Sequence, residues 1–140
     1  MPEPSCVFCK IVAGQIPCTK VYEDADTLAF LDIGSLAEGH LLIIPKQHYE
    51  RLDDMPPDLV GKVCATLPRL GKLVMQVTGA LGFNLLQNNG AVASQEVPHV
   101  HFHIIPRVSG DGLGYRWNRS AAAAQTVRDV HQRLLEAMRG

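Results

Sequence analysis

Seven residues constrain this chain more than any others: His99-Val100-His101-Phe102-His103-Ile104-Ile105, closed by Pro106-Arg107. A stretch that alternates polar and apolar side chains reads as a β-strand, because successive side chains leave opposite faces. His99, His101 and His103 then share one face, about 6.6 Å apart at a rise of about 3.3 Å per residue. Val100, Phe102 and Ile104 enter a core on the other. A lone histidine between apolar residues is commonly a satisfied core group, but three at period two point to chemistry. The pattern alone leaves two chemistries open. Either all three rings hold a catalytic metal, or one imidazole is a nucleophile and its neighbours serve a phosphate or a structural ion.

The chain has 140 residues, enough for one domain (1–140) with its own core and too few for two. Its 13 basic and 14 acidic residues nearly cancel, leaving no basic footprint for nucleic acid or an anionic membrane. A small phosphorylated ligand needs only a local site and stays allowed. The longest aliphatic run, Leu41-Leu42-Ile43-Ile44, is far short of a membrane span. No apolar stretch follows Met1-Pro-Glu-Pro-Ser5, so a cytoplasmic setting with reduced cysteines is expected.

Strands are expected at 18–23, 27–33, 40–44, 82–88 and 99–106, in an antiparallel sheet because the connections are short. From Pro57 to Thr78, Leu59, Val60, Val63, Leu67, Leu70, Val74 and Val77 recur at helical spacing, with Pro68 set to kink or cut the helix. A second helix starts at Ser120 as N-cap and carries Val127, Val130, Leu134 and Met138 on one face. The class is α+β, with five strands and two main helices. Cys6-x-x-Cys9 can offer two thiolates to one soft divalent ion, and needs two further ligands to close a tetrahedral site. Cys18 and Cys64 read as small packing residues, and His131 as a solvated one.

His-Val-His-Phe-His-Ile-Ile resembles the His-φ-His-φ-His-φ-φ signature of the histidine triad (HIT) family, φ being hydrophobic. The likeness runs along the chain. Cys6-Val-Phe-Cys-Lys-Ile-Val-Ala-Gly-Gln-Ile-Pro17 is similar to the N-terminal segment of the Hint-like branch. Tyr22-Glu-Asp24, Leu28–Ile33, Gly39–His48 and Asn88-Asn-Gly90 keep the family's order. The resemblance implies a HIT-like fold, a homodimer whose sheets join through the helix of 57–78, and a structural zinc held by Cys6, Cys9, His48 and His99. It also implies a purine nucleotide site. Asp32 would bind the ribose hydroxyls, Phe8, Ile11, Phe30 and Ile33 the base, and Asn88 and Gln95 the phosphate. His101 would be the nucleophile, with His103 and His40 beside it. The implied activity is hydrolysis or transfer of a nucleoside 5′-phosphoramidate or dinucleoside polyphosphate through a nucleotidyl-histidine. The rival is a non-catalytic, zinc-stabilised module that binds nucleotides or a protein. The chain departs from the family pattern at Ser94-Gln95-Glu96, where many relatives have Gly-Gln and then Ser or Thr, which bears on the leaving group.

Overall fold

The computed structural model describes residues 2–113 and 124–140. Five strands, β1 (Lys20–Glu23), β2 (Thr27–Leu31), β3 (Leu41–Pro45), β4 (Gly82–Gln87) and β5 (Phe102–Arg107), form one antiparallel sheet in the order β1-β2-β3-β5-β4. The first three are a meander. The chain then crosses one face through α2 (Pro57–Cys64) and α3 (Leu67–Thr78) and returns at the far edge as β4. β5 inserts between β3 and β4, so the histidine segment enters the middle of the sheet. α1 (Val7–Val12) precedes the sheet and α4 (Ala124–Arg139) follows it.

The expected helix over 57–78 is two helices. Pro68 falls in the first turn of α3, where its missing N–H costs nothing, and the helical path is broken just before it, at Ala65-Thr66. The short helix α1 was not expected, since six residues give too little periodicity to read. The Ser120 cap lies outside the described residues. α4 forms, but its apolar stripe of Val127, Val130, Leu134 and Met138 stays exposed.

The sheet is covered on both faces, which explains why β3 can be apolar at every position. On one face Ala29, Leu41, Ile43, Phe102 and Ile104 pack with Leu59, Val63, Leu67, Leu70 and Val74 of α2 and α3. On the other, Leu28, Phe30, Leu42 and Ile44 pack with Cys6, Phe8 and Cys9 at α1. Val100, Phe102 and Ile104 all belong to the first layer, so His101 and His103 project toward α1. The expected alternation holds, but β5 begins only at Phe102. Two contacts divert the residues before it: His99 N–H donates to Val97 O at 2.8 Å in a tight turn, and Val100 N–H donates to Tyr49 O at 2.8 Å. His99 therefore turns away from the line of the strand.

Gly39, one residue before His40, has φ +85°, and a Cβ there would meet Thr78 Cγ2 at 2.7 Å. Both the left-handed backbone and the close approach of α3 demand glycine. Gly39→Ala is expected to cost about 2–4 kcal/mol. Gly14→Ala, at φ +78° with nothing within 4 Å, should cost only about 1–2 kcal/mol. Urea unfolding of the two variants separates the clash from the backbone strain.

Candidate active site and metal centre

Cys6 is the N-cap of α1, and its sulfur accepts the Cys9 N–H at 3.4 Å. The helical spacing of three puts both thiols on one side. His48, just beyond β3, and His99 close in on them from the sheet. His99 Nδ1 stands 3.4 Å from Cys6 Sγ, 3.6 Å from Cys9 Sγ and 3.2 Å from His48 Nδ1, and His48 Nδ1 is 3.3 Å from Cys9 Sγ. A tetrahedral zinc with metal–sulfur bonds of about 2.3 Å and metal–nitrogen bonds of about 2.05 Å has nitrogen–nitrogen edges of about 3.3 Å and nitrogen–sulfur edges of about 3.5 Å. The observed edges fit that polyhedron.

The protonation states fit it too. His99 Nε2 donates to Pro45 O at 2.8 Å, so its proton sits on the far side and the Nδ1 lone pair faces the thiols. Burial drives the pKa of His99 down to about 4, keeping the ring neutral. Burial also pushes the Cys6 thiol up, against the pull of two backbone N–H groups. Two buried thiols, the buried His99 lone pair and half-buried His48 are the donor set that a divalent zinc completes, with no position left open. Among the described residues, no metal-competent group combines His99, His101 and His103.

His99 leads directly to the second cluster. Its backbone oxygen accepts from His101 Nδ1 at 2.8 Å. The proton of His101 is thus held on Nδ1, and Nε2 carries a lone pair with no hydrogen-bond partner among the described residues. The ring is 6 % exposed and lines a cleft of about 510 Å³.

A relay of protons fixes the next two histidines. Leu36 N–H donates to His40 Nδ1 at 3.0 Å, so neutral His40 carries its proton on Nε2. That proton is donated to His103 Nδ1 at 2.9 Å, with Asp32 Oδ2 at 3.7 Å as a further attraction. His103 must then carry its own proton on Nε2, and it lines the same cleft. Burial lowers both rings, His103 to about 4, opposed by the Asp32 carboxylate. The cleft therefore presents a lone pair on His101 beside an N–H on His103, their ring centroids 4.9 Å apart.

The remaining wall is apolar. Phe8 stands edge-on to Phe30 at 5.7 Å and to His101 at 5.2 Å. Ile11, Ile33 and Asp32 line the cleft with them, Ile33 fully exposed at its rim. Of the ten residues in the expected nucleotide and catalytic set that were not assigned to the metal, seven line the cleft; His40 stands behind His103, and Asn88 and Gln95 fall elsewhere. The Asn88 amide reaches Ser94 O at 3.4 Å. Gln95 accepts from Gly90 N–H at 2.7 Å and donates to Glu50 O and Val97 O at 2.6 and 3.1 Å. Both amide hydrogens of Gln95 are thus spent on backbone, and its side chain braces the loop. Ser94, at φ +70°, takes the left-handed turn that glycine takes at less cost. Val7, Ile16, Pro17, Cys18, Thr19, Glu96 and Val97 join the cleft wall. Cys18 packs against the Phe8 and Phe30 layer as expected and also borders the cleft, which no periodicity marks because this wall is a loop.

The comparisons agree with this geometry. The family model for the HIT domain matches residues 13–110. The chain belongs to the HIT family. It is 52% identical over 109 residues to an uncharacterized HIT-like protein of Methanocaldococcus jannaschii, covering 76% of this chain and 82% of that one. It is 47% identical over 131 residues to an adenosine 5′-monophosphoramidase of Schizosaccharomyces pombe, covering 93% and 96%. The crystal structure of a zinc-bound histidine triad family protein from Mycobacterium smegmatis superposes with a TM-score of 0.75 at 37% identity, over 95% of each chain.

His103 binds a proton less readily in the fold than in the unfolded chain, whose histidines titrate near 6.5. Between about pH 4 and 6.5 the unfolded state holds more protons, so stability is full above that window and falls as pH drops through it, by at most about 1.4 kcal/mol per pH unit for this group. His103→Asn should show a shallower loss of denaturation midpoint between pH 7 and 5 than the parent chain. An equal slope would remove His103 from this account.

Proposed function

We propose that this HIT protein hydrolyses nucleotides at the α-phosphorus, releasing a nucleoside monophosphate from a purine nucleoside 5′-phosphoramidate or a dinucleoside polyphosphate. One observation carries the reading: a buried histidine, His101, whose tautomer is held by the His99 carbonyl so that Nε2 keeps a lone pair at the cleft. A neutral imidazole in that state is a nucleophile at physiological pH and needs no separate base. The monophosphoramidase named among its relatives supports the same reaction class.

In this mechanism the base lies against Phe8, Phe30, Ile11 and Ile33, and Asp32 accepts from the ribose hydroxyls. His101 Nε2 attacks phosphorus in line. The new nitrogen–phosphorus bond forms as the bond to the leaving group breaks, and a leaving amine takes up a proton from water. His103 Nε2–H, backed by His40, donates to a phosphoryl oxygen as charge builds there. Water then attacks the nucleotidyl-imidazole, giving the monophosphate and free His101. Asn88 is a phosphate ligand here only if its amide leaves Ser94 O, and Gln95 acts only by bracing the loop.

Cys6, Cys9, His48 and His99 are assigned a structural zinc, which would cross-link α1 to the histidine segment. Reduced thiols suit a cytoplasmic setting, and no helix among the described residues is long and apolar enough to cross a membrane. A homodimer is also proposed: β4 is a sheet edge with Leu85 and Leu86 exposed, beside exposed Leu73 and Val77 of α3.

The test is chemical. Rapid quenching with an adenosine phosphoramidate should trap an acid-labile nucleotidyl group on the peptide holding His99 to His103, and His101→Ala should abolish both adduct and turnover. Near-normal turnover in that variant, or an adduct elsewhere, rejects the mechanism. Binding without any turnover by the parent chain would favour the non-catalytic module.

A further inference from the structure

The cleft at His101 does not end where the nucleotide would. Val7, Glu96 and Val97 form a wall common to it and to a second groove of about 460 Å³, which runs on past Glu3, Ser5, Cys6, His48, Glu50 and Pro98. Phe8, Phe30 and Asp32, the base and ribose surfaces of the hydrolase reading, line the first cleft and not the second groove, which leaves the second groove for whatever hangs from the far side of the phosphorus. The Nε2 of His101, on a residue 6 % exposed and with no hydrogen-bond partner among the described residues, lies on the first cleft and is where the hydrolase reading puts the phosphorus.

The charge of this exit is one-sided. Three carboxylates line it from three parts of the chain: Glu3 ahead of α1, Glu50 after β3 and Glu96 on the loop before the histidines. Glu3 accepts from the Ser5 hydroxyl and N–H, and among the described residues no ion pair engages Glu3, Glu50 or Glu96. Among the described residues, neither groove has a lysine or arginine in its wall. The other titratable groups there, Cys6 and His48, belong to the metal set, whose two thiolates would neutralise a divalent ion. An anionic leaving group would enter this field against three like charges, whereas a cation would enter with it.

We propose that Glu96, with Glu50 and Glu3 behind it, selects substrates whose leaving group is cationic: nucleoside 5′-phosphoramidates of an amine that bears a second positive charge. This rests on the hydrolase reading above and deepens it. The same carboxylates disfavour dinucleoside polyphosphates, whose leaving nucleotide is an anion. Glu96 contacts the departing group and leaves the reacting bond to His101.

Three adenosine 5′-phosphoramidates that differ only in the leaving amine test this: those of 1,4-diaminobutane, butylamine and 4-aminobutanoate. The expected order of kcat/KM is cationic over neutral over anionic, about fivefold at each step, as for charges a few ångströms apart at a solvated rim. High salt should compress the series. Glu96→Gln should pull the ratio of cationic to neutral toward one, and Glu50→Gln should do so more weakly. Equal rates for all three, a preference for the anionic amine, or a cationic preference untouched by both salt and Glu96→Gln overturns the assignment while the hydrolase reading stands. Failure to hydrolyse any of the three overturns both.

Discussion

His99 is the residue on which the rest of the structure depends, because its two halves face two different tasks. Its ring gives Nδ1 to the cluster of Cys6, Cys9 and His48, and sends its Nε2 proton to Pro45 O. Its carbonyl holds the Nδ1 proton of His101. The same backbone turn that aims the ring at the thiols, His99 N–H to Val97 O, aims the carbonyl at His101. A side chain in the metal cluster and a main-chain atom in the cleft cannot move independently. Orientation of the His101 Nε2 lone pair toward the cleft is thereby built into the fold.

Polarity through the second cluster follows from one backbone donor. Leu36 N–H sets the tautomer of His40, His40 sets that of His103, and an N–H reaches the cleft two residues along from a lone pair. Burial keeps both rings neutral, so the relay is a set of directed dipoles with no buried charge to stabilise. An acceptor and a donor side by side suit a tetrahedral phosphate, which must be attacked at phosphorus and stabilised at oxygen.

Much of this was legible in the residues. Period two placed His101 and His103 on one face and Val100, Phe102 and Ile104 in the core, and helical spacing with Pro68 located the break between α2 and α3. The Cys6-x-x-Cys9 pair announced a metal cluster. Less visible were features set by single backbone contacts. The turn at Val97–His99 delays β5 to Phe102, and no side-chain pattern encodes it. Gln95 braces its loop because Gly90, Glu50 and Val97 lie within its reach, which depends on how distant segments meet. Helix α1 is too short for its period to register, and the wall formed by Cys18, Thr19 and Glu96 is made of loops. Periodicity reports faces of regular elements, and the parts of this site that sequence did not disclose lie outside them.

The central claim is that His99 presets the tautomer of His101. Nitrogen-15 NMR of the histidine side chains, recorded on zinc-loaded protein at neutral pH, tests it most directly. The account predicts that His101 carries its proton on Nδ1 with an unprotonated Nε2, and that His99 carries its proton on Nε2 with Nδ1 bound to metal. A His101 ring protonated at Nε2, or a His99 ring with its proton on Nδ1, would contradict it.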